Sequence, residues 1–115
     1  MIKQYLQALQ SQNAEQILYC FAENARIVWP NTSESFTALQ FAQINHAYPG
    51  QWNCALLHSM QEGNKTIALY KIFNQDVELY ATSIFTLQNG KILYLEEYFA
   101  ENTAPPVWRG TEFQK

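Results

Sequence analysis

The chain has 115 residues, of which 48% are hydrophobic, 15% aromatic and 15% charged, and its formal net charge is −3. A chain of this size buries roughly 65% of the surface its unfolded form exposes, so one core suffices without disulfides or metals, and a disordered or collagen-like chain is excluded. The seven Lys and Arg are scattered singly, which leaves no electrostatic footprint for nucleic acid.

Ile2, Tyr5, Leu6 and Leu9 follow helical spacing, so the first ten residues predict a helix with one apolar stripe. Asn13 with Gln16 three residues on reads as the N-cap of a second helix, with Ile17, Leu18 and Phe21 facing inward. Residues 25–29 predict a short strand that puts Ile27 and Trp29 on one side, stopped by Pro30-Asn31. Thr37 and Gln40 form a capping box, and Phe36 and Phe41 stand where a hydrophobic staple would clamp a third helix that ends before Pro49-Gly50. From Gln51 the period changes to two, predicting strands over 51–60, 65–73, 77–88 and 91–99. The last break, Asn89-Gly90, is a hairpin signal, and tight turns between neighbours predict an antiparallel sheet. Helices first and a strand meander after them give an α+β class: a conical, curved antiparallel sheet with the N-terminal helices on its concave face, one domain over 1–115 with 100–115 as a tail.

No apolar stretch reaches the roughly 20 residues that a membrane helix needs, and no signal-peptide run opens the chain, so the expectation is a cytoplasmic protein with no membrane partner. Cys20 and Cys54 lack CxxC spacing and read as reduced, buried small hydrophobes. No HxH, HExxH or paired-cysteine spacing calls for a metal, and no loop is built to cradle phosphate, so no cofactor is expected.

The order of elements, with the phrases Tyr5-Leu6-Gln7-Ala8-Leu9, Phe21-Ala22-Glu23-Asn24-Ala25 and Asn89-Gly90-Lys91-Ile92…Glu97-Tyr98-Phe99, resembles the nuclear transport factor 2-like superfamily in its SnoaL-like branch. The resemblance implies a half-barrel whose wide end holds a small-molecule pocket, and a homodimer through the outer face of the sheet. Enzymes of this kind use an Asp, Glu or His whose pKa is moved by burial. Matched to ketosteroid isomerase, Tyr5 stands at the oxyanion-stabilising tyrosine, Trp29 where the general-base aspartate would be, and Ser83 where a second, protonated aspartate would be. The only aspartate, Asp76, falls in a predicted turn. Steroid isomerisation by that mechanism, an Asp-Arg-Asp epoxide-hydrolase triad and a one-Asp cyclase mechanism are therefore not expected.

His58 shares parity with Trp52, Cys54, Leu56 and Met60, which points it toward the cone, while His46 reads as a solvated helix-end residue. Glu96 and Glu97 are adjacent, so one should face inward, and the family phrase favours Glu97, either as a site acid or paired with Arg109 so that Trp108 and the tail are pinned. Each tyrosine hydroxyl must find a partner or stay wet, and a cone lined with Tyr5, Trp29, Tyr70 and Tyr98 would leave hydroxyls at a hydrated wall. The resulting expectation is an apolar, Tyr/Trp-lined pocket for an uncharged or weakly polar small molecule, with Tyr5 and Ser83 supplying hydrogen bonds. The alternatives are a lyase or isomerase with His58 or Glu97 as proton carrier, and a protein–protein dimerisation module.

Overall fold

The computed structural model describes residues 1–110, so the 111–115 part of the expected tail lies outside it. Three helices precede most of the sheet: α1 (Ile2–Ser11), α2 (Ala14–Tyr19) and α3 (Ala38–Ala47). The strands are β1 (Phe21–Trp29), β2 (Glu34–Thr37), β3 (Asn53–Glu62), β4 (Lys65–Phe73), β5 (Glu78–Gln88) and β6 (Lys91–Glu101), with a single 3-10 turn at Pro30–Thr32 and another at Val107–Arg109. No helix among the described residues is long and apolar enough to cross a membrane.

Local chemistry starts and stops these elements as the sequence predicts. The Asn13 side chain accepts from the Gln16 N–H. At α3 the capping box is reciprocal: the Gln40 N–H donates to Thr37 Oγ1 at 3.2 Å, and the Thr37 N–H donates to Gln40 Oε1 at 2.9 Å. Asn89 and Gly90 have φ of 51° and 78°, the two left-handed residues that a type I′ hairpin turn requires. Phe21 departs from the expectation, because it opens β1 instead of closing α2, and Leu18 is largely exposed.

The sheet order is β2-β1-β6-β5-β4-β3. From β3 to β6 it is the expected antiparallel meander. The expectation of a wholly antiparallel sheet is corrected at β1, which pairs with β6 in parallel. These two strands are joined by no turn but by most of the chain, so hairpin chemistry cannot report their direction. The helices cover one face of this curved, mixed sheet. Its core gathers Tyr5 and Ile17 from the helices, Phe41 from α3, and Ile27, Tyr70, Phe85 and Leu95 from the strands. Among the described residues nothing covers the other face, which carries Met60, Ile67, Tyr94 and Tyr98, all partly or largely exposed.

The open end of the fold is held by a polar clasp. Gln12 ends α1 in a left-handed conformation, and its side-chain amide donates to the carbonyls of Asn45 and Tyr48 at the end of α3. His46 is exposed, as expected, with Nδ1 2.9 Å from the Gln12 carbonyl oxygen. Gln10 accepts from the Cys54 N–H, which ties α1 to β3. Opposite them, Asn31 accepts from the Phe99 N–H and anchors the Pro30–Thr32 turn to β6.

Candidate functional site

Glu97 is the centre of the interior chemistry. It lies on β6 opposite Ser83 of β5, on the covered face of the sheet, and is 2% exposed. Burial of a carboxyl group away from any cation is costly unless its lone pairs are engaged. Here they are engaged by four donors. The hydroxyls of Tyr5, Tyr70 and Ser83 each donate to Oε2 at 2.7 Å, and the Trp29 indole N–H donates to Oε1 at 3.0 Å. Tyr70 and Ser83 lie 2.8 Å apart, so one of the two hydroxyls can instead give its single proton to the other while that other donates to Glu97.

The elements fix this arrangement. Tyr5 comes from the apolar stripe of α1, its ring held edge-on by Phe21 and Phe85. Tyr70 and Ser83 point inward from β4 and β5. Trp29, at the end of β1, is wedged edge-on among Phe36, Phe41 and Phe99. Burial and then the neighbouring Glu97 charge push the hydroxyls of Tyr5 and Tyr70 well above the ordinary tyrosine range, so both remain proton donors. Cys54 feels the same two causes and is pushed up to about 11, which leaves its thiol protonated and weakly nucleophilic.

Beyond Trp29, at the open end, lies a cavity of about 550 Å³. Its apolar walls are Trp29, Phe99, Ile72, Leu79 and Leu9, with Cys54 and Trp52 beside them. Its rim is polar: Gln12, Asn45 and Tyr48 on the helix side, and Asn31, Glu34 and Glu101 on the strand side. Trp29 alone among the residues around Glu97 reaches this cavity, with one edge toward the carboxyl and the ring against the open space.

These positions sort the residues singled out from the sequence. Glu97, Tyr5, Tyr70, Ser83 and Trp29 come together, but as a closed cluster beneath the cavity. The expectation that Tyr5, Tyr70 and Ser83 line a pocket is corrected: their hydroxyls are taken up by Glu97 instead of staying at a hydrated wall. Tyr98 is also corrected. It pairs with Thr82 on the uncovered face, is 39% exposed and donates to Glu96. The expectation of an inward His58 fails because the β3–β4 register shifts between Leu56 and His58. Leu56 opposes the inward Tyr70 whereas His58 opposes the outward Leu69, and His58 is exposed. The alternative pairing of Glu97 with Arg109 is corrected as well, since Glu97 is bonded to the cluster while Arg109 lies exposed with its guanidinium over an exposed Trp108. The sole aspartate, Asp76, is exposed in the β4–β5 turn, as expected.

Sequence reasoning missed the rim. Glu34 and Glu101 carried no motif, and their place follows only from register: Glu34 opposes Trp29, and Glu101 opposes Leu79. The resemblance to a ketosteroid isomerase puts a base at position 29; in the folded chain that position supplies a donor, and the acid comes from β6.

No protein-family model matches the sequence, and comparison with curated proteins finds no significant match. Solved structures do match. A candidate ketosteroid isomerase from Kribbella flavida is 22% identical, covers 95% of this chain and 82% of its own, and superposes with a TM-score of 0.82. A nuclear transport factor 2-like protein of unknown function from Burkholderia xenovorans is 22% identical over 99% of this chain and 91% of its own, with a TM-score of 0.81. An LEH-like epoxide hydrolase from M. tuberculosis is 12% identical over 86% of this chain and 79% of its own, with a TM-score of 0.72. Identities this low carry architecture and not chemistry. With helices over one face of a curved six-stranded sheet and with these structural likenesses, the chain has the nuclear transport factor 2-like fold.

Proposed function

We propose that the chain, as a SnoaL-like member of this fold, binds a small molecule in the cavity at the open end. The observation that carries this reading is the cavity itself: about 550 Å³, with aromatic and aliphatic walls below a polar rim, within the size range of ligand pockets. Catalysis by Glu97 is the weaker alternative, because the carboxyl is buried, its oxygens are occupied by donors, and Trp29 stands between it and the open space.

A thermal-shift screen of small molecules against the wild type and a Leu79→Trp variant tests the reading, since the added indole would fill the cavity from β5. A ligand present at about 100 times its dissociation constant stabilises by about 2.7 kcal/mol and raises the melting temperature by several degrees. Hits should stabilise the wild type and leave the filled variant unmoved. A screen in which no compound separates the two proteins would rule out binding at this place.

The same reading includes a homodimer through the uncovered sheet face. Its support is the apolar surface of Met60, Ile67, Tyr94 and Tyr98 beside the half-buried Leu69 and Ile84, a patch of the kind that marks an interface. Ile67→Lys should convert a dimer to a monomer in sedimentation velocity while the melting profile of the monomer remains cooperative. A wild type that sediments as a monomer at micromolar concentration would remove the dimer. The two free cysteines suit a reducing, cytoplasmic location.

A further inference from the structure

The charges around the cavity are one-sided. Glu34 and Glu101 stand on its rim, and among the described residues no Lys or Arg lines it. The described cations that have partners are committed elsewhere: Lys71 to Glu78, Arg26 to Ser35, Lys65 to Thr86, Lys91 to the Tyr19 ring and carbonyl, and Arg109 to the Trp108 ring. An anionic ligand would therefore lose its hydration and meet two carboxylates with no Lys or Arg among the described lining residues to offset them. Carboxylates at the mouth of an apolar concavity focus a negative potential inside it.

The aromatic walls add attraction of the same sign. Trp29 and Phe99 meet at 90° with centroids 5.5 Å apart, and Tyr48 and Trp52 meet at 84° with centroids 5.8 Å apart. All four belong to the cavity lining. In each edge-to-face pair, at least one ring keeps a face free of its partner, and since Trp29 is also met by Phe36 and Phe41, the Phe99, Tyr48 and Trp52 rings offer the less crowded faces. An ammonium carbon shell packs on such faces, and the ring quadrupole draws its positive charge. The orientation of Trp29 reinforces this, because its N–H edge is turned away to Glu97 and is not available to repel a cation. The Thr32 hydroxyl donates to Glu34 Oε1 at 2.6 Å and so steadies one of the rim carboxylates beside the opening.

From these features we infer that the ligand is an organic cation of the alkylammonium class, seated between the two aromatic corners with its charge toward Glu34 and Glu101. This replaces the uncharged or weakly polar ligand expected from the sequence, and it rests on the cavity being a binding site. The class explains why the interior is apolar and yet the rim is acidic: methyl and methylene groups take the walls, and the charge takes the mouth.

The test uses an isosteric pair on the full chain, choline and 3,3-dimethylbutan-1-ol, which differ in charge and scarcely in shape. Binding is followed by calorimetry and by the indole N–H resonances of the three tryptophans. Choline should bind about tenfold more tightly than the neutral isostere, an advantage within the range of desolvated cation–aromatic contact. Its affinity should fall with added salt, as screening of the rim carboxylates requires. A variant carrying Glu34→Gln and Glu101→Gln should melt like the wild type, because both residues are exposed, and should lose most of the preference for choline. Perturbed resonances should be those of Trp29 and Trp52, with Trp108 unmoved.

Equal affinity for the two probes, a preference that survives in the double variant, or a response confined to Trp108 overturns the cationic class. So does the absence of any response to choline at tens of millimolar. These failures are separable from failure of the cavity as a site: neutral compounds that still distinguish the wild type from Leu79→Trp would leave the binding reading standing.

Discussion

Glu97→Ala should destabilise the protein by about 3 kcal/mol or more, because several buried donors lose their acceptor together. The variant removes the acceptor of four hydrogen bonds at once and strands the hydroxyls of Tyr5, Tyr70 and Ser83 in a place that water does not readily reach. Stranded buried donors cost about 1–3 kcal/mol each when nothing replaces the partner, and the Tyr70–Ser83 contact recovers part of that. Glu97→Gln should fall between the two proteins. Its amide oxygen still accepts, and its NH₂ can donate to the hydroxyl oxygens, which retain free lone pairs. Urea unfolding followed by tryptophan emission measures both, and the Trp29 indole, bonded to Oε1, reports the cluster directly. An alanine variant as stable as the wild type would mean that the cluster contributes nothing to folding. Tyr5→Phe and Tyr70→Phe, combined in a double-mutant cycle, should be less costly together than the sum of the two, because they share the Oε2 atom.

Stability should collapse under alkaline conditions. Tyr5 and Tyr70 hold their protons far more tightly in the folded chain than the ordinary tyrosine value of about 10, because of burial first and Glu97 second. Raised folded-state values mean that this contribution is fully present below about pH 10 and is lost as pH rises, since the unfolded chain releases the two protons first. Each tyrosine then lowers stability by about 1.4 kcal/mol per pH unit, about 2.7 for the pair. The Cys54 thiol contributes with the same sign between its ordinary value of 9.0 and about 11. Stability measured by urea titration from pH 8 to 12 should thus be level at first and then fall steeply, and Tyr5→Phe should remove about half of the tyrosine slope. Tyrosinate absorbance from the two buried rings should appear together with unfolding. Its appearance in a chain that remains folded would show that the two hydroxyls titrate in place.

Local signals were readable from the sequence and non-local ones were not. Asn13 with Gln16, Thr37 with Gln40, and Asn89-Gly90 act over three or four residues, and each does in the fold what its chemistry prescribes. The short β2 was hidden, because Glu34–Thr37 offers a single apolar residue, Phe36, and no period. Counting by twos points His58 inward only if the ladder is unbroken, and Leu57 interrupts it. An inward Tyr98 conflicts with an inward Glu97 in the sequence itself. Tyr98 follows Glu97 directly in one strand, so both cannot face inward. The need for partners on buried tyrosine hydroxyls was legible, but the identity of that partner was not: Tyr5 and Glu97 are 92 positions apart. The burial that brings them together is also what separates the cluster from the cavity that the same residues were expected to line.

The parallel pairing of β1 with β6 governs how the molecule is made. The earliest strand finds its central neighbour only when the latest one exists, so the closing contacts span nearly the whole chain and carry a large loop-closure cost before they are rewarded. A nascent polypeptide leaving the ribosome can form α1, α2 and the β3–β4 hairpin, yet it has no acceptor for Tyr5 and no neighbour for one edge of β1 until residue 97 emerges. Assembly is thereby concentrated at the end of synthesis, and truncation within β6 would leave β1 with an unpaired edge open to intermolecular association.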